Sequence, residues 1–487
     1  MISMVTVKPS HLAGAVCLSI ILFSPGFVNR ADAFQAYTRT SLTDSVDAMF
    51  EQWDREDSPG FALGIFKNGR IIYARGYGMA NLEYNIPNTP KTVFRIGSLS
   101  KQFTAICVAL LAEQGKLSLD DDIRKFFPEM SEYEIPITVR HLVHHTSGIR
   151  DYLTLQDLLV RGEYYNSEDA LAVLLRQKGL NFTPGERFSY ANSGYFLLAA
   201  LVERTSGIKT SEYARKHIFE PLGMNDTHFH DDLNVVVRNR ASGYRPTEEG
   251  GYRINMTQLD IIGDGSVYTT IEDFFKWDQN FYQNKLGRGN KDLMDMVLTR
   301  GVLNNGEDIT YAFGLNVDTN RGLRRVSHSG SWVGFNTIGI RYPDQRFSVA
   351  IFSNGSMGPG RFARRIVNLY LTEQFTEPAP PEQERPSRRQ REVQERPEPV
   401  MLSSSQLQEF SGFYYSDELD AHAILDVEES ALVMRLGMHS ATLSSFPSDT
   451  FEWRRSRMEF VRDSGRTITG FILNAGRNLS LEFKRIK

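Results

Sequence analysis

Residues 377–400 run through Pro, Glu, Arg and Gln without one aromatic side chain. Such a stretch cannot bury a core and reads as an extended linker. It divides the 487-residue chain into pieces that must each find a core of their own. Beyond it, Leu479, Leu481 and Phe483 alternate with Ser480, Glu482 and Lys484, and turn signals recur at Gly437, Gly465 and Gly476. A period of two broken by glycine turns predicts an all-β module over 402–487, a small barrel or curved sheet.

Ahead of the linker the rhythm is mixed. An amphipathic helix is predicted over 41–53, then strands over 61–66 and 71–73 joined by Asn68-Gly69, the favoured hairpin turn. The 117–223 stretch is mostly helical in pattern and is punctuated by Pro128, Pro136, Pro184 and Pro221. Strand patterns return at 311–317, 325–328, 337–342 and 347–352, and a helix is predicted over 360–375. Strands at both ends with helices inserted between them predict an α+β layered domain rather than a doubly wound one. The expected organisation is therefore an export signal at 1–33, an α+β domain at 34–376, a linker at 377–401 and a small β-barrel-like domain at 402–487.

The export signal rests on Lys8 and His11 ahead of an apolar run over 12–23, a break at Pro25-Gly26, and small residues at Ala31-Asp-Ala33. The apolar run is too short to span a bilayer comfortably. The mature chain is thus expected outside the cytoplasm, periplasmic or extracellular, without stable membrane insertion. A net charge of −4 gives no nucleic-acid signature. Cys17 lies in the leader, so Cys107 would be the mature protein's single thiol.

Chemistry concentrates at Phe94-Arg-Ile-Gly-Ser-Leu-Ser-Lys-Gln-Phe-Thr104. A β-type run ends at Gly97, and a helical pattern runs from Ser98 to a glycine stop at Gly115. Ser98 and Lys101, three residues apart at a helix start, share one face. The first helical turn also leaves backbone N–H groups free. A hydroxyl, an amine and a free amide are the parts of an acyl-transfer site. Two later motifs reinforce this reading: Phe188-Ser-Tyr190-Ala-Asn192-Ser-Gly194-Tyr195 and His328-Ser-Gly330-Ser-Trp-Val-Gly334-Phe335.

With these three in order, the chain resembles the serine β-lactamase and penicillin-binding protein superfamily, in the branch of class C β-lactamases, D-aminopeptidases and esterases. Accessory likenesses are His141-Leu-Val-His-His-Thr-Ser-Gly148, Glu220-Pro-Leu-Gly-Met224 and Gly263-Asp-Gly-Ser-Val-Tyr-Thr-Thr270. The resemblance covers about 36–375 and implies an antiparallel sheet flanked by helices plus a helical subdomain. It implies Ser98 as acylated nucleophile and Lys101 as its proton-transfer and electrostatic partner. A phenol is a poor base near pH 7, but a neighbouring ammonium favours its phenolate. Tyr190 would then take the Ser98 proton, pass it to the leaving group and later activate water. Asn192 would orient Lys101 and bind a substrate carbonyl. The backbone N–H groups of Ser98 and Ser331 would form the oxyanion hole, with Gly330 letting the strand approach the substrate.

The third motif departs from the family's Lys-Thr-Gly. His328 is largely neutral near pH 7 and so weakens the case for a substrate carboxylate bound there. The expectation is an exported serine hydrolase acting on small amides or esters, D-amino-acid peptides among them. Alternatives are a carboxylesterase, a weak β-lactamase, or a penicillin-binding sensor that deacylates slowly. No cofactor or metal is expected: His228-Phe-His230-Asp-Asp232 has ligand-type residues but reads as surface polarity. His144-His145 reads as a turn with packing roles, and Cys107 as core.

Overall fold

The computed structural model describes residues 42–159, 164–379 and 398–486. The expected export signal, Cys17 and most of the 377–401 linker lie outside them. The chain separates into two compact units, Met1–Val46 and Asp47–Lys487, and the architecture below belongs to the second.

Its larger sheet has six strands: β1 (Phe61–Lys67), β2 (Arg70–Tyr77), β3 (Asn316–Asn320), β4 (Leu323–Trp332), β5 (Phe335–Tyr342) and β6 (Phe347–Ser353). They run antiparallel throughout in the order β3-β4-β5-β6-β1-β2. N- and C-terminal segments thus meet at the β1–β6 pair. Asn68 and Gly69 close the first hairpin with φ of 51° and 76°, the left-handed pair a two-residue turn needs.

Between β2 and β3 lie α1 (Lys101–Glu113), α2 (Asn192–Ser206) and α3 (Ile271–Asn280), and after β6 comes α4 (Gly360–Leu371). Alternation along β1 assigns its two faces. Phe61 packs on Phe362 of α4, ring centroids 5.4 Å apart, while Phe66 packs on Phe275 of α3 at 5.1 Å. A side chain at Gly64 would reach within 2.6 Å of Ile271, so glycine there lets α3 lie close. The buried pair Arg341–Asp278, at 2.7 Å, ties α3 to β5. Helix α1 is buried on all sides from Phe103 to Leu111, as a helix without a polar face must be. Cys107 is part of that core.

One strand is displaced from its predicted position. The 311–317 pattern does not extend as a strand, and β3 begins at Asn316. Gly314 has φ +69° and passes so close to α1 that a Cβ would lie 2.5 Å from the Gln102 nitrogen. The chain must turn there rather than stay extended.

The C-terminal region forms β7 (Gly412–Ser416), β8 (Ala421–Glu428), β9 (Ala431–Leu436), β10 (His439–Thr442), β11 (Ser444–Phe446), β12 (Thr450–Trp453), β13 (Ser456–Arg462), β14 (Ile468–Ala475) and β15 (Asn478–Arg485). The sheet order is β10-β9-β8-β7-β15-β14-β13-β12-β11. Its two edge strands are separated in sequence by Leu443 alone, so the sheet curls until its ends adjoin, a nearly closed barrel. Leu481 and Phe483 point into its core as the alternation predicts, and Phe471 stacks on Phe483 at 4.5 Å.

The barrel docks on the helical region through Arg150 and Asp151. Arg150 is buried; its Nε donates to the Leu479 carbonyl at 3.0 Å, its Nη2 to that of Ser480 at 2.9 Å, and its Nη1 pairs with Glu418. The Asn478 side chain grips the Asp151 backbone twice: its Oδ1 accepts the Asp151 N–H at 2.6 Å, and its Nδ2 donates to the Asp151 carbonyl at 3.1 Å.

Candidate active site

Ser98 sits in a tight 3₁₀ turn, Gly97–Ser100, immediately ahead of α1. Gly97 makes the turn possible. Its φ is +53°, and a Cβ there would lie 2.9 Å from the Ser331 nitrogen. The start of the helix is therefore pressed onto β4. Gly330 completes the contact, since a Cβ at this position would come within 1.9 Å of the Ile96 carbonyl oxygen. Strand β3 pairs with β4 only as far as Ser327, so from His328 to Trp332 that edge of β4 has no strand partner among the described residues and faces the Ser98 turn.

Lys101, the first residue of α1, is fully buried. Its Nζ donates to Ser98 Oγ at 3.1 Å, Asn192 Oδ1 at 3.0 Å and the Asp264 carbonyl at 2.7 Å. These three acceptors use every donor an ammonium has. Among the described residues no carboxylate pairs with it. Its positive charge instead lies 4.9 Å from the Tyr190 ring centroid and 5.6 Å from that of Tyr195. Among the described residues no well-formed hydrogen bond reaches the buried Tyr190 hydroxyl, and Tyr311 is the polar neighbour that interacts with it.

Asn192 is the first residue of α2, whose N-cap Ala191 has no side chain to satisfy the first N–H groups. Asp151 supplies the missing acceptor: its Oδ2 takes the Asn192 N–H at 2.7 Å. A buried carboxylate at a helix N-terminus also complements the helix dipole. Arg477 of the barrel reaches the same Oδ2 at 3.4 Å and stands 5.3 Å over the Tyr190 ring.

His145 holds the Tyr190 segment on both sides. Its carbonyl accepts the Ser189 N–H at 2.9 Å, and its Nδ1 accepts the Ala191 N–H at 3.3 Å. The ring packs on Tyr190 at 4.2 Å. Burial, reinforced by the Lys101 charge, holds its pKa well below 6.5. His145 itself has φ +56°, an uncommon left-handed backbone fixed by these contacts. It is more than a turn residue.

His328 faces Tyr311 within the fold. Its Nδ1 lies 2.6 Å from the Ser329 carbonyl, which can only accept, so that nitrogen carries the proton. Nε2 then accepts from the Tyr311 hydroxyl at 3.0 Å. Burial first, and Lys101 second, push its pKa down to about 4. Burial and the Lys101 charge thus both favour the neutral form of His328.

All seven expected site residues therefore converge. Ser98, Lys101 and Asn192 are hydrogen-bonded, Tyr190 stands beside Lys101, and Gly330 and Ser331 lie along the Ser98 turn, with His328 behind them on the same strand. Sequence reasoning missed Asp151, Tyr311 and Arg477, and it saw Asp264 and His145 only as members of accessory motifs. The His228–His230 pair differs from its expected surface place. His230 is buried, and the two rings meet at 3.3 Å between Nε2 and Nδ1 beside Tyr268.

The cleft holding these groups has a volume of ≈ 1480 Å³. Ser98, Tyr190, Asn192 and Ser331 line it together with Trp453, Arg454, Arg455 and Arg477 of the barrel. Part of its wall thus comes from beyond the linker.

Comparison with known proteins agrees with this geometry. The β-lactamase family model matches residues 46–374. A penicillin-binding protein of Bacillus subtilis is 32% identical over 337 residues, 63% of this chain and 71% of that protein. A D-aminopeptidase of Gluconobacter oxydans is 28% identical over 329 residues, 66% of this chain but 60% of its own length. The octameric penicillin-binding protein homologue of Pyrococcus abyssi superposes with a TM-score of 0.60 at 25% identity, covering 92% of this chain and all of that one. The chain belongs to the β-lactamase family of serine hydrolases.

Proposed function

We propose that the protein is an exported hydrolase that forms an acyl-enzyme on Ser98 with small amides or esters, D-amino-acid peptides among them. The observation that carries this reading is the Lys101 ammonium, held by Ser98, Asn192 and the Asp264 carbonyl, 4.9 Å from the ring of the buried Tyr190. Lys101 already donates to Ser98 Oγ, so it does not take the serine proton in this arrangement. Tyr190, whose ring lies 4.9 Å from that charge, acts as the base in its phenolate form, which the neighbouring ammonium favours.

Ser98 Oγ attacks the substrate carbonyl as its proton passes to Tyr190. The oxyanion forms against the Ser98 and Ser331 backbone N–H groups, which Gly97 and Gly330 bring together. Tyr190 then protonates the leaving amine or alcohol. A water entering through the cleft gives its proton to the Tyr190 phenolate as it attacks the ester, and Tyr190 returns that proton to the departing Ser98 Oγ. Asn192 holds Lys101 and presents its amide to the substrate. His328, neutral and engaged with Tyr311, supports the strand and offers no charge to a carboxylate. The D-amino-acid substrate class draws support from the relative named D-aminopeptidase. Export draws support from the pattern of residues 1–33.

The test is timed intact-mass spectrometry of the purified protein with a penicillin and, separately, with p-nitrophenyl acetate and a D-alanine anilide, alongside Ser98→Ala. Turnover of ester or anilide by the parent alone supports the proposal. A persistent penicillin adduct without turnover favours a slow-deacylating sensor. Reaction undiminished in Ser98→Ala removes Ser98 from the chemistry.

A further inference from the structure

Five arginines line the cleft: Arg95, Arg245, Arg454, Arg455 and Arg477. Its acidic residues are Asp151, Asp157 and Asp264. Two of these acids are occupied. Asp151 accepts the Asn192 N–H at 2.7 Å and faces Arg477 at 3.4 Å. The Asp264 carboxyl accepts the Tyr152 hydroxyl at 3.0 Å, and burial raises its pKa toward the neutral form. Asp157 alone is exposed. A chain with net charge −4 thus concentrates positive charge around its nucleophile.

Two of those arginines are built differently from their neighbours. On the barrel, Arg435 pairs with Asp426 and Glu428, Arg457 with Glu459, and Arg462 with Asp449 and Glu409. Arg454 and Arg455 have no ion pair among the described residues, and both are exposed. They form the two-residue turn between β12 and β13, with φ of 47° and 68°. That conformation selects Asn-Gly when only the turn matters. Two arginines at the tip put two guanidinium groups on the cleft wall. Arg245, also exposed and without an ion pair among the described residues, lines the cleft from the hydrolase side.

We infer that Arg245, Arg454 and Arg455 form an anion-binding rim that receives a carboxylate carried by the part of the substrate projecting away from Ser98. The inference rests on the hydrolase reading and adds the charge of the substrate. A guanidinium fork matches a carboxylate in two parallel hydrogen bonds. Because the rim is exposed, its attraction acts through water and is screened by salt. It also steers anionic substrates into the cleft before contact.

The test uses p-nitrophenyl monoesters of succinate, adipate and suberate, each against its methyl-capped neutral counterpart. The readout is the ratio of kcat/KM for free acid to capped ester, so a general loss of activity cancels. Exposed charge pairs each contribute a few-fold, so at least one chain length is expected to favour the free acid about tenfold at low salt. The ratio falls toward one at about 0.5 M salt, and to one or below in the Arg454→Glu/Arg455→Glu protein. Inorganic phosphate at matched ionic strength lowers the ratio no further than chloride if the rim is fitted to carboxylate. A ratio near one at every length, or a ratio unchanged in the double variant, overturns the rim while leaving the hydrolase reading intact. Failure to hydrolyse either the free acids or the capped esters overturns both.

Discussion

Asn478 lies in the barrel, 380 positions after the nucleophile by their numbering, yet only a few hydrogen bonds separate them. Its amide grips the Asp151 backbone at 2.6 and 3.1 Å; Asp151 Oδ2 holds the Asn192 N–H at 2.7 Å; Asn192 Oδ1 accepts from Lys101 at 3.0 Å; and Lys101 donates to Ser98 at 3.1 Å. Replacing Asn478 by Ala leaves the buried Asp151 N–H without its acceptor, at a cost of about 1–3 kcal/mol, while the Asp151 carbonyl keeps the Thr154 and Leu155 N–H groups at 3.1 Å. The structure answers either by undocking the 475–478 turn or by moving Asp151. Either movement loosens the first N–H of α2, and with it the Asn192 amide that fixes Lys101. A displacement near 1 Å at such a group costs up to about 100-fold in rate. The expected result is a 10- to 100-fold slower acylation burst with p-nitrophenyl acetate, with far-ultraviolet circular dichroism unchanged. Asn474→Ala is the control, because its Oδ1 accepts the Ser480 N–H at 2.8 Å within the same hairpin and does not reach Asp151. If Asn478→Ala acylates at the parental rate while its urea midpoint falls, the barrel is only a stabilising neighbour and the chain of positioning contacts is wrong.

Three further outcomes are expected. His145→Phe keeps an aromatic stack on Tyr190 but removes the acceptor of the Ala191 N–H, so steady-state kinetics should show kcat/KM lowered by roughly tenfold with about 1–2 kcal/mol lost in urea unfolding; parental kcat/KM would deny His145 a positioning role. Gly330→Ala drives a Cβ into the Ile96 carbonyl and should destabilise by about 3 kcal/mol, read as a lowered melting temperature and lost activity together; an unchanged melt would show that β4 can retreat. The pH dependence of stability follows from His144 and His328, both pushed by burial from 6.5 to about 4. Between those values the unfolded chain binds more protons, so stability is complete above pH 6.5 and falls as pH drops toward 4, by on the order of 3 kcal/mol per group. Asp264, raised by burial, acts in the opposite sense nearer its own range. Urea midpoints that stay flat or rise on acidification across this window would contradict the buried neutral histidines.

The convergence of the candidate site residues was legible because sequence spacing fixes them locally. Ser98 and Lys101 bracket the first turn of one helix, and Tyr190 and Asn192 flank the N-cap of another. Asn68-Gly69 announced its hairpin because the turn demands left-handed backbone that those residues supply. The supporting groups were not legible because nothing local marks them. Lys101 takes the carbonyl of Asp264 and not its carboxylate, and a carbonyl has no residue-type signature. Asp151 caps a helix that begins 41 positions later, while the sequence around it shows only an ordinary polar turn. Tyr311 was placed on a strand, since apolar alternation cannot register that Gly314 must clear the start of α1. His230 looked like surface polarity because two histidines and two aspartates are hydrophilic by type, and nothing local shows that its ring packs 4.8 Å from that of Tyr268.

The site's charge distribution explains why its third motif carries a histidine. Lys101 is buried without a carboxylate partner among the described residues, so a second fixed cation on β4 would face uncompensated repulsion. Histidine escapes that repulsion by staying neutral, and Lys101 is the second-largest cause of its lowered pKa, after burial. Its two ring nitrogens are then free to satisfy the Ser329 carbonyl and the Tyr311 hydroxyl, a structural role that lysine, with donors alone, cannot fill. The cost is that β4 offers a substrate no charge at the His328 position. Cations reach the cleft from elsewhere: Arg95 and Arg245 on the hydrolase side, and on the barrel Arg477, drawn to Asp151, and the Arg454-Arg455 turn, which has no ion pair among the described residues. The C-terminal barrel thus adds positive charge to the cleft that holds Ser98.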